Sequence, residues 1–347
     1  MHKKTAVNLP ATPAKQAALP LPAGVLLAAL LAILPVQEAL ADCTATAQSI
    51  HFGNVNLLAP SPATAQGAVS VTCTKTASRS SPQSFNVCLA VDGGQTSQQT
   101  LNPKRLCKSS RCSNNDTPPF VTYDLYHDPA HTRIWSTPRQ NGRPIDVTIN
   151  VPAGAASHTV DVPFYAKLIP PFTNVTEGIY SIGFGGGSTS LSFGNTSCGI
   201  GGRRFAFTVT ANVIKNCIIS EARDINFGTV QTNATNLQGQ SSFKVTCTQG
   251  TPYKIGLQPS NNNQNGQGVM RAVQAGNPDG VPYQLRSTAG LNGTVWGNTA
   301  TAQSTNNGVA GTGSGTTQKH DVYATIDSVN NYRPGEYRDR VIINVYY

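Results

Sequence analysis

Charge is scarce in this sequence. Asp, Glu, Lys and Arg make up 12% of its 347 residues, and no run of Lys or Arg is interleaved with aromatics. That argues against a nucleic-acid partner, which needs a basic stripe with stacking side chains. Beyond the first forty residues no stretch is apolar enough to cross a membrane, and none repeats its apolar residues at helical spacing. Gly-x-Ser-x-Gly, paired-carboxylate and phosphate-loop signatures are all missing. The raw material for an enzyme would be His127, Asp128 and His131 near Asp124, or His158 with Asp161. They fall among turn and strand residues with no nucleophile and read as solvated loop histidines. The chain is therefore not expected to be an enzyme, and no cofactor is expected. Cys107 and Cys112 have no matching Cys/His pair at finger spacing, so a metal site is not expected either.

What the sequence does contain begins with an export signal. Lys3, Lys4 and Lys15 form a basic lead, Val25 to Val36 is mostly Leu, Ala, Ile and Val, and Ala39-Leu40-Ala41 fits a small-x-small cleavage site. Residues 1–41 read as a signal peptide and Asp42 as the first mature residue. Cleavage removes three lysines and one glutamate, taking the net charge from +9 to about +7, a basic surface suited to solubility or to anionic partners. The remaining residues are rich in Gly, Pro, Ser, Thr and Asn, the composition of an all-β protein. Their length suggests two domains. All eight cysteines lie in the exported part, where disulfides are the default.

The mature chain is a two-fold repeat. Cys43 precedes Ile50-His51-Phe52-Gly53-Asn54-Val55, and Cys217 precedes Ile225-Asn226-Phe227-Gly228-Thr229-Val230. Thirty residues after each first cysteine comes a second, in Val71-Thr72-Cys73-Thr74 and Val245-Thr246-Cys247-Thr248. Trp135 answers Trp296, Tyr165-Ala166-Lys167-Leu168 answers Tyr323-Ala324-Thr325-Ile326, and Gly178-Ile179-Tyr180 answers Gly335-Glu336-Tyr337. This order predicts two homologous β-sandwiches over 42–213 and 217–347, with a boundary near Asn212 to Asn216. Alternation puts Val69, Val71 and Cys73 on one face, and Phe243, Val245 and Cys247 on another. The repeated cysteines then point inward and pair as Cys43–Cys73 and Cys217–Cys247. Each bond would close a loop of about 30 residues and contribute roughly 3 kcal/mol on the loop-entropy model. Cys88 alternates against Phe85, Val87 and Leu89 and is expected to face outward. With Cys107, Cys112 and Cys198 it has no counterpart in the second copy. These four are expected to brace two insertions, Asp92 to Pro119 and Gly183 to Arg204, in any of three pairings.

The copies also end differently. The first continues into Phe205-Ala206-Phe207-Thr208-Val209-Thr210-Ala211-Asn212-Val213, an alternating run fit to close its sandwich. The second stops at Val341-Ile342-Ile343-Asn344-Val345-Tyr346-Tyr347, whose odd positions form an apolar face. The second copy is thus short by one strand. Val341, Ile343, Val345 and Tyr347 are expected to form an edge that accepts a strand.

These residues resemble the spore coat protein U domain family. The cues are Cys followed by Phe-Gly-x-Val, then Val-x-Cys-Thr, a Tyr-x-Leu with a downstream Trp, and Pro334-Gly335-Glu336-Tyr337-Arg338-Asp339 before an alternating apolar end. The match covers Cys217 to Tyr347 well and Cys43 to Val213 more loosely. The resemblance implies two tandem immunoglobulin-like β-sandwiches, the C-terminal one lacking its last strand. It implies a tip subunit of a secreted chaperone–usher pilus, mediating adhesion and biofilm formation. The implied partners are a periplasmic chaperone, an outer-membrane usher, an adjacent pilin subunit donating a strand, and an unknown surface or receptor. If cleavage follows Ala41, only Asp42 precedes Cys43, which fits the expectation of a subunit that accepts a strand without donating one. A secreted coat or matrix protein is the alternative reading. A tip adhesin is expected to carry its adhesive groups at the end of the first domain farthest from the linker. Two apolar loops with polar counterparts in the second copy are the candidates there: Ile169, Pro170, Pro171 and Phe172, and Leu57 with Leu58.

Overall fold

The structure, a computed structural model, describes residues 41–76, 80–94, 103–108, 119–137, 142–172, 174–194 and 202–347. Residues 1–40 of the expected leader, Cys112 and Cys198 lie outside them. Every regular element among the described residues is a β-strand.

The first sandwich contains β1 (Asp42–Ala47), β2 (Ile50–Val55), β3 (Thr64–Thr74), β4 (Gln83–Val91), β5 (Lys104–Cys107), β6 (Phe120–Tyr126), β7 (Ile145–Val151), β8 (Ser157–Leu168), β9 (Gly178–Phe184), β10 (Thr189–Phe193) and β11 (Phe207–Val213). One sheet runs β1-β3-β8-β6-β5-β9-β11-β2 and the facing sheet β10-β4-β7. The second sandwich contains β12 (Cys217–Ser220), β13 (Thr235–Cys247), β14 (Pro252–Pro259), β15 (Gln267–Ala272), β16 (Gly280–Arg286), β17 (Val309–Thr312), β18 (Thr317–Ser328), β19 (Tyr337–Arg338) and β20 (Val341–Tyr346). Its sheets run β12-β13-β18-β16-β15-β19 and β17-β14-β20.

The pairing equates β1, β3, β4, β5, β6, β7, β8, β9 and β10 with β12, β13, β14, β15, β16, β17, β18, β19 and β20 in turn. Only β2 and β11 lack a partner in this scheme. Period-two alternation accounts for the strands: Val69, Val71 and Cys73 are buried while Ser70 and Thr72 between them are half-buried. Both predicted disulfides are present, Cys43–Cys73 and Cys217–Cys247, across equivalent registers of β1–β3 and β12–β13. Trp135 and Trp296 are buried, and each indole N–H reaches a carbonyl of the facing sheet, Leu89 at 2.9 Å and Ile255 at 2.8 Å. A buried indole donor needs such an acceptor. Around Trp135 the rings of Phe164, Phe205 and Phe207 pack together, with Phe184 stacked on Phe207. The repeated Phe-Gly also has a local cause: Gly53 and Gly228 adopt φ of +69° and +73°, which a side chain would strain.

Two sequence expectations need correction. The stretch Gly183 to Arg204 is not simply inserted, because it contains the end of β9 and all of β10, the counterpart of the terminal strand β20. The turn at Gly185 to Ser188, where the Ser188 N–H donates to the Gly185 carbonyl, displaces that strand along the sequence and hides the match. Cys88 does sit on the outer face of β4, outside the core cluster, and is disulfide-bonded as expected, yet it is only 6% exposed. Alternation predicted which way it points but not that the face is covered. Cys107 is disulfide-bonded as well.

Candidate functional site: an uncovered groove and a domain junction

In the first sandwich β11 is the closing strand. It pairs antiparallel with β9, from Phe207 opposite Phe184 to Val213 opposite Gly178. On its other side it pairs parallel with β2, Val209 opposite Ile50 and Val213 opposite Val55. Upstream, Leu191 of β10 donates its N–H to the carbonyl of Arg203 at 2.7 Å, so the closing segment follows β10 too. Phe207, Val209, Ala211 and Val213 are all buried.

Among the described residues, the second sandwich has no strand in that place. Its counterpart of β2, Ile225 to Val230, has the same residue pattern but no ladder, since a parallel edge segment needs a neighbour to bond to. β19 is reduced to two residues. The exposures show the consequence. Ile50 is 0% exposed while Ile225 is half-buried, and Val55 is 2% exposed against 37% for Val230. On β20, Val341, Ile343 and Val345 pack against the core from the face predicted for them, yet all three stay half-exposed. β20 is paired with β14 along one edge only. Tyr347, predicted to share that face, is exposed and instead donates its hydroxyl to Asn216 Oδ1 of the linker at 3.1 Å.

One polar cluster marks the groove. Tyr283 donates its hydroxyl to Asp339 Oδ2 at 2.6 Å, and Ser260 donates to the other oxygen of that carboxylate. Burial, reinforced by the Asp339 carboxylate, pushes the Tyr283 phenol well up. Asp339 thus stays hydrogen-bonded where the chain passes from β19 to β20. The counterpart in the first sandwich is apolar: Ile182 replaces Asp339, and the buried Tyr123 hydroxyl has no hydrogen-bond partner among the described residues.

The apolar loops are not where they were expected. Leu57, Leu58, Pro171, Phe172 and Val175 line a cavity of about 170 Å³ together with Thr248, Gln249 and Gly315 of the second sandwich. They therefore lie at the junction and not at the far pole. The physical reason is strand direction: β2 runs parallel to β11 and β9 antiparallel to it. The ends of β2 and β8 consequently arrive at the pole where β11 leaves for the linker. Ile169 is tied to Thr122 through a backbone bond of 2.8 Å, and Thr122 Oγ1 donates to the Ile169 carbonyl. Leu57 and Phe172 pack partly against the core.

The histidines have local duties. His127 Nε2 meets the carbonyl of Arg143 at 2.7 Å, and the Asp128 carboxylate accepts from the N–H groups of Thr132 and Arg133. Sequence reasoning missed a buried charge cluster: Lys104 is fully buried with its ammonium 3.4 Å from Asp124 Oδ1, and Asp92 lies nearby. Burial pushes Asp92 up to about 6, although the Gly94 N–H and Lys104 oppose this. Lys104 sits on a strand of only four residues, too short for alternation to reveal an inward charge.

A model of the Spore Coat Protein U domain matches the chain twice, over residues 28–181 and 203–344. The chain belongs to the Spore Coat Protein U domain family. No curated protein matches it significantly. Among solved structures it is similar to a chain of the CsuC–CsuE chaperone–tip adhesion subunit pre-assembly complex, from archaic chaperone–usher Csu pili of Acinetobacter baumannii. That match has 18% identity and a TM-score of 0.50 and covers 88% of this chain and 100% of that one. The CupB6 tip adhesin of Pseudomonas aeruginosa matches at 12% identity with a TM-score of 0.31, covering 89% and 94% of the two chains. CfaE, the adhesive subunit of CFA/I fimbria of enterotoxigenic Escherichia coli, matches at 11% with a TM-score of 0.30, covering 75% and 81%. For this member of the Spore Coat Protein U domain family, the Csu likeness adds agreement of fold over both sandwiches.

Proposed function

We propose that this chain is the tip adhesin of a chaperone–usher pilus, exported through the periplasm and displayed at the cell surface. Its second sandwich joins the fibre by accepting a strand from another chain, and its first sandwich meets the target surface. A single observation carries this reading: the residues that β11 buries in the first sandwich have counterparts in the second that stay half-exposed beside a vacant strand position. A periplasmic chaperone would cover the groove first, an outer-membrane usher would catalyse the exchange, and the adjacent pilin would leave its own strand there. This is strand addition at a sheet edge, where main-chain bonds give affinity and alternate side chains give specificity.

The first sandwich supplies the register. By the match of β9–β10 to β19–β20, the incoming strand runs antiparallel to β20 and parallel to Ile225–Val230. It presents alternate apolar side chains inward, as Phe207, Val209, Ala211 and Val213 do. Adhesion belongs to the pole of the first sandwich remote from the second, which presents exposed Pro82, Pro152, Ala153 and Ala156. Buried Lys75 holds the two loops there, donating its ammonium to the carbonyls of Ser81 and Pro152, each at 2.8 Å.

Replacing Ile343 and Val345 by Asp tests the reading. Two carboxylates in the groove would abolish chaperone capture in co-purification and surface display in cells. Normal display of that variant would refute strand acceptance and favour a matrix protein.

A further inference from the structure

The two apolar loops of the first sandwich have polar equivalents in the second. Leu57 and Leu58, after β2, correspond to exposed Gln231 to Asn233, and Ile169 to Val175, after β8, corresponds to a stretch with exposed Asn330, Asn331 and Arg333. Core packing accounts in part for Leu57 and Phe172, but Leu58 is not among the residues packed against that core. The first sandwich, however, has a neighbour at that pole. Leu57, Leu58, Pro171 and Phe172 face Thr248, Gln249 and Gly315 across a small notch. Around it lies a ring of polar contacts. Thr176 bridges Gln249 through the backbone, and Asn216 Nδ2 donates to Asn56 Oδ1 at 2.9 Å. The linker is held from both sides: Ile214 donates its N–H to the Val55 carbonyl at 3.1 Å, and Thr248 donates its N–H to the Asn216 carbonyl at 3.0 Å.

We infer that Leu57, Leu58, Pro171 and Phe172 form an apolar pad that locks the first sandwich onto the second, so that the pair moves as one rigid head. Inter-domain contacts within a chain are commonly small and polar and leave relative motion as the default. Three short linker residues bonded at both ends, plus an apolar centre ringed by hydrogen bonds, remove that freedom. The pad uses residues whose apolar character the strand-accepting role does not require, and it holds whether or not the chain enters a pilus.

Residual dipolar couplings on the full mature chain test this. Rigid sandwiches report alignment tensors of equal magnitude and common orientation. Leu58→Asp is expected to reduce the alignment of one sandwich at least twofold relative to the other, while Thr232→Asp, on the unpadded pole of the second sandwich, leaves the two equal. If Leu58→Asp lowers the melting temperature of the first sandwich, Gln249→Asp makes the same test from the opposite side. Unequal tensors in the unmodified chain, or equal tensors in folded Leu58→Asp and folded Gln249→Asp, would overturn the pad.

Discussion

Ile50 and Ile225 are the same residue at the same place in the repeat, one under a closing strand and the other beside a vacant position. Ile50→Ala removes side-chain atoms from a site of zero exposure in the first sandwich, where Ile→Ala changes cost about 2–5 kcal/mol through lost transfer energy and a residual cavity. Ile225 is only half-buried. The same change there forfeits about half of the 1.5–3 kcal/mol that full burial of such a side chain gains, roughly 1 kcal/mol, and leaves no enclosed cavity. The chain has two tryptophans, Trp135 in one core and Trp296 in the other, so Trp135→Phe and Trp296→Phe backgrounds let fluorescence follow each sandwich separately in urea. A peptide copying Phe205 to Val213 serves as a surrogate strand. Once it fills the groove, the cost of Ile225→Ala should rise toward that of Ile50→Ala, a change of about 1–3 kcal/mol. Two results would refute the reasoning: equal costs without peptide, which would mean the groove is already closed, or a cost that saturating peptide leaves unmoved.

Asp92 gives a pH prediction. Its folded pKa of about 6 lies above the ordinary carboxylate value, so folding favours the protonated form. The charged form therefore costs stability at pH 7, and the first sandwich should grow more stable as pH falls from 7 to about 5, with Asp92→Asn flattening that rise in thermal melts. For the disulfides, Cys217→Ser with Cys247→Ser should cost the second sandwich about 3 kcal/mol, on the loop-entropy estimate, in denaturant titrations under oxidising conditions; no loss would mean that the bond constrains nothing.

Most of the fold was legible in the sequence because it rests on local alternation and on a repeat that can be compared with itself. Val69, Val71 and Cys73 declare their face by spacing alone, and the second copy repeats the statement at Phe243, Val245 and Cys247. Legibility failed where a property depends on what lies across space. Nothing near Cys88 reveals that its outer face is covered, and nothing near Lys104 reveals that its ammonium is buried beside Asp124. The sequence marks the apolar loops as anomalous but does not place them at their pole, since a loop's position follows from the direction of strands that pair far apart in sequence. β10 is hidden by the turn before it, which shifts an otherwise matching strand out of alignment.

The internal repeat also fixes the direction in which a partner would leave. β11 runs toward the linker pole of the first sandwich, and only Ile214, Lys215 and Asn216 separate its end from Cys217, which opens the next sandwich. A strand filling the equivalent place in the second sandwich would start near the junction and exit at the opposite pole. Its own sandwich would then sit beyond the second as the second sits beyond the first. The chain thus contains, covalently joined, the relation that strand acceptance would create between chains. In the first sandwich the closing place is filled by a segment that leads directly into a neighbouring sandwich; on the proposed reading, the same geometry would receive a segment arriving from a different polypeptide.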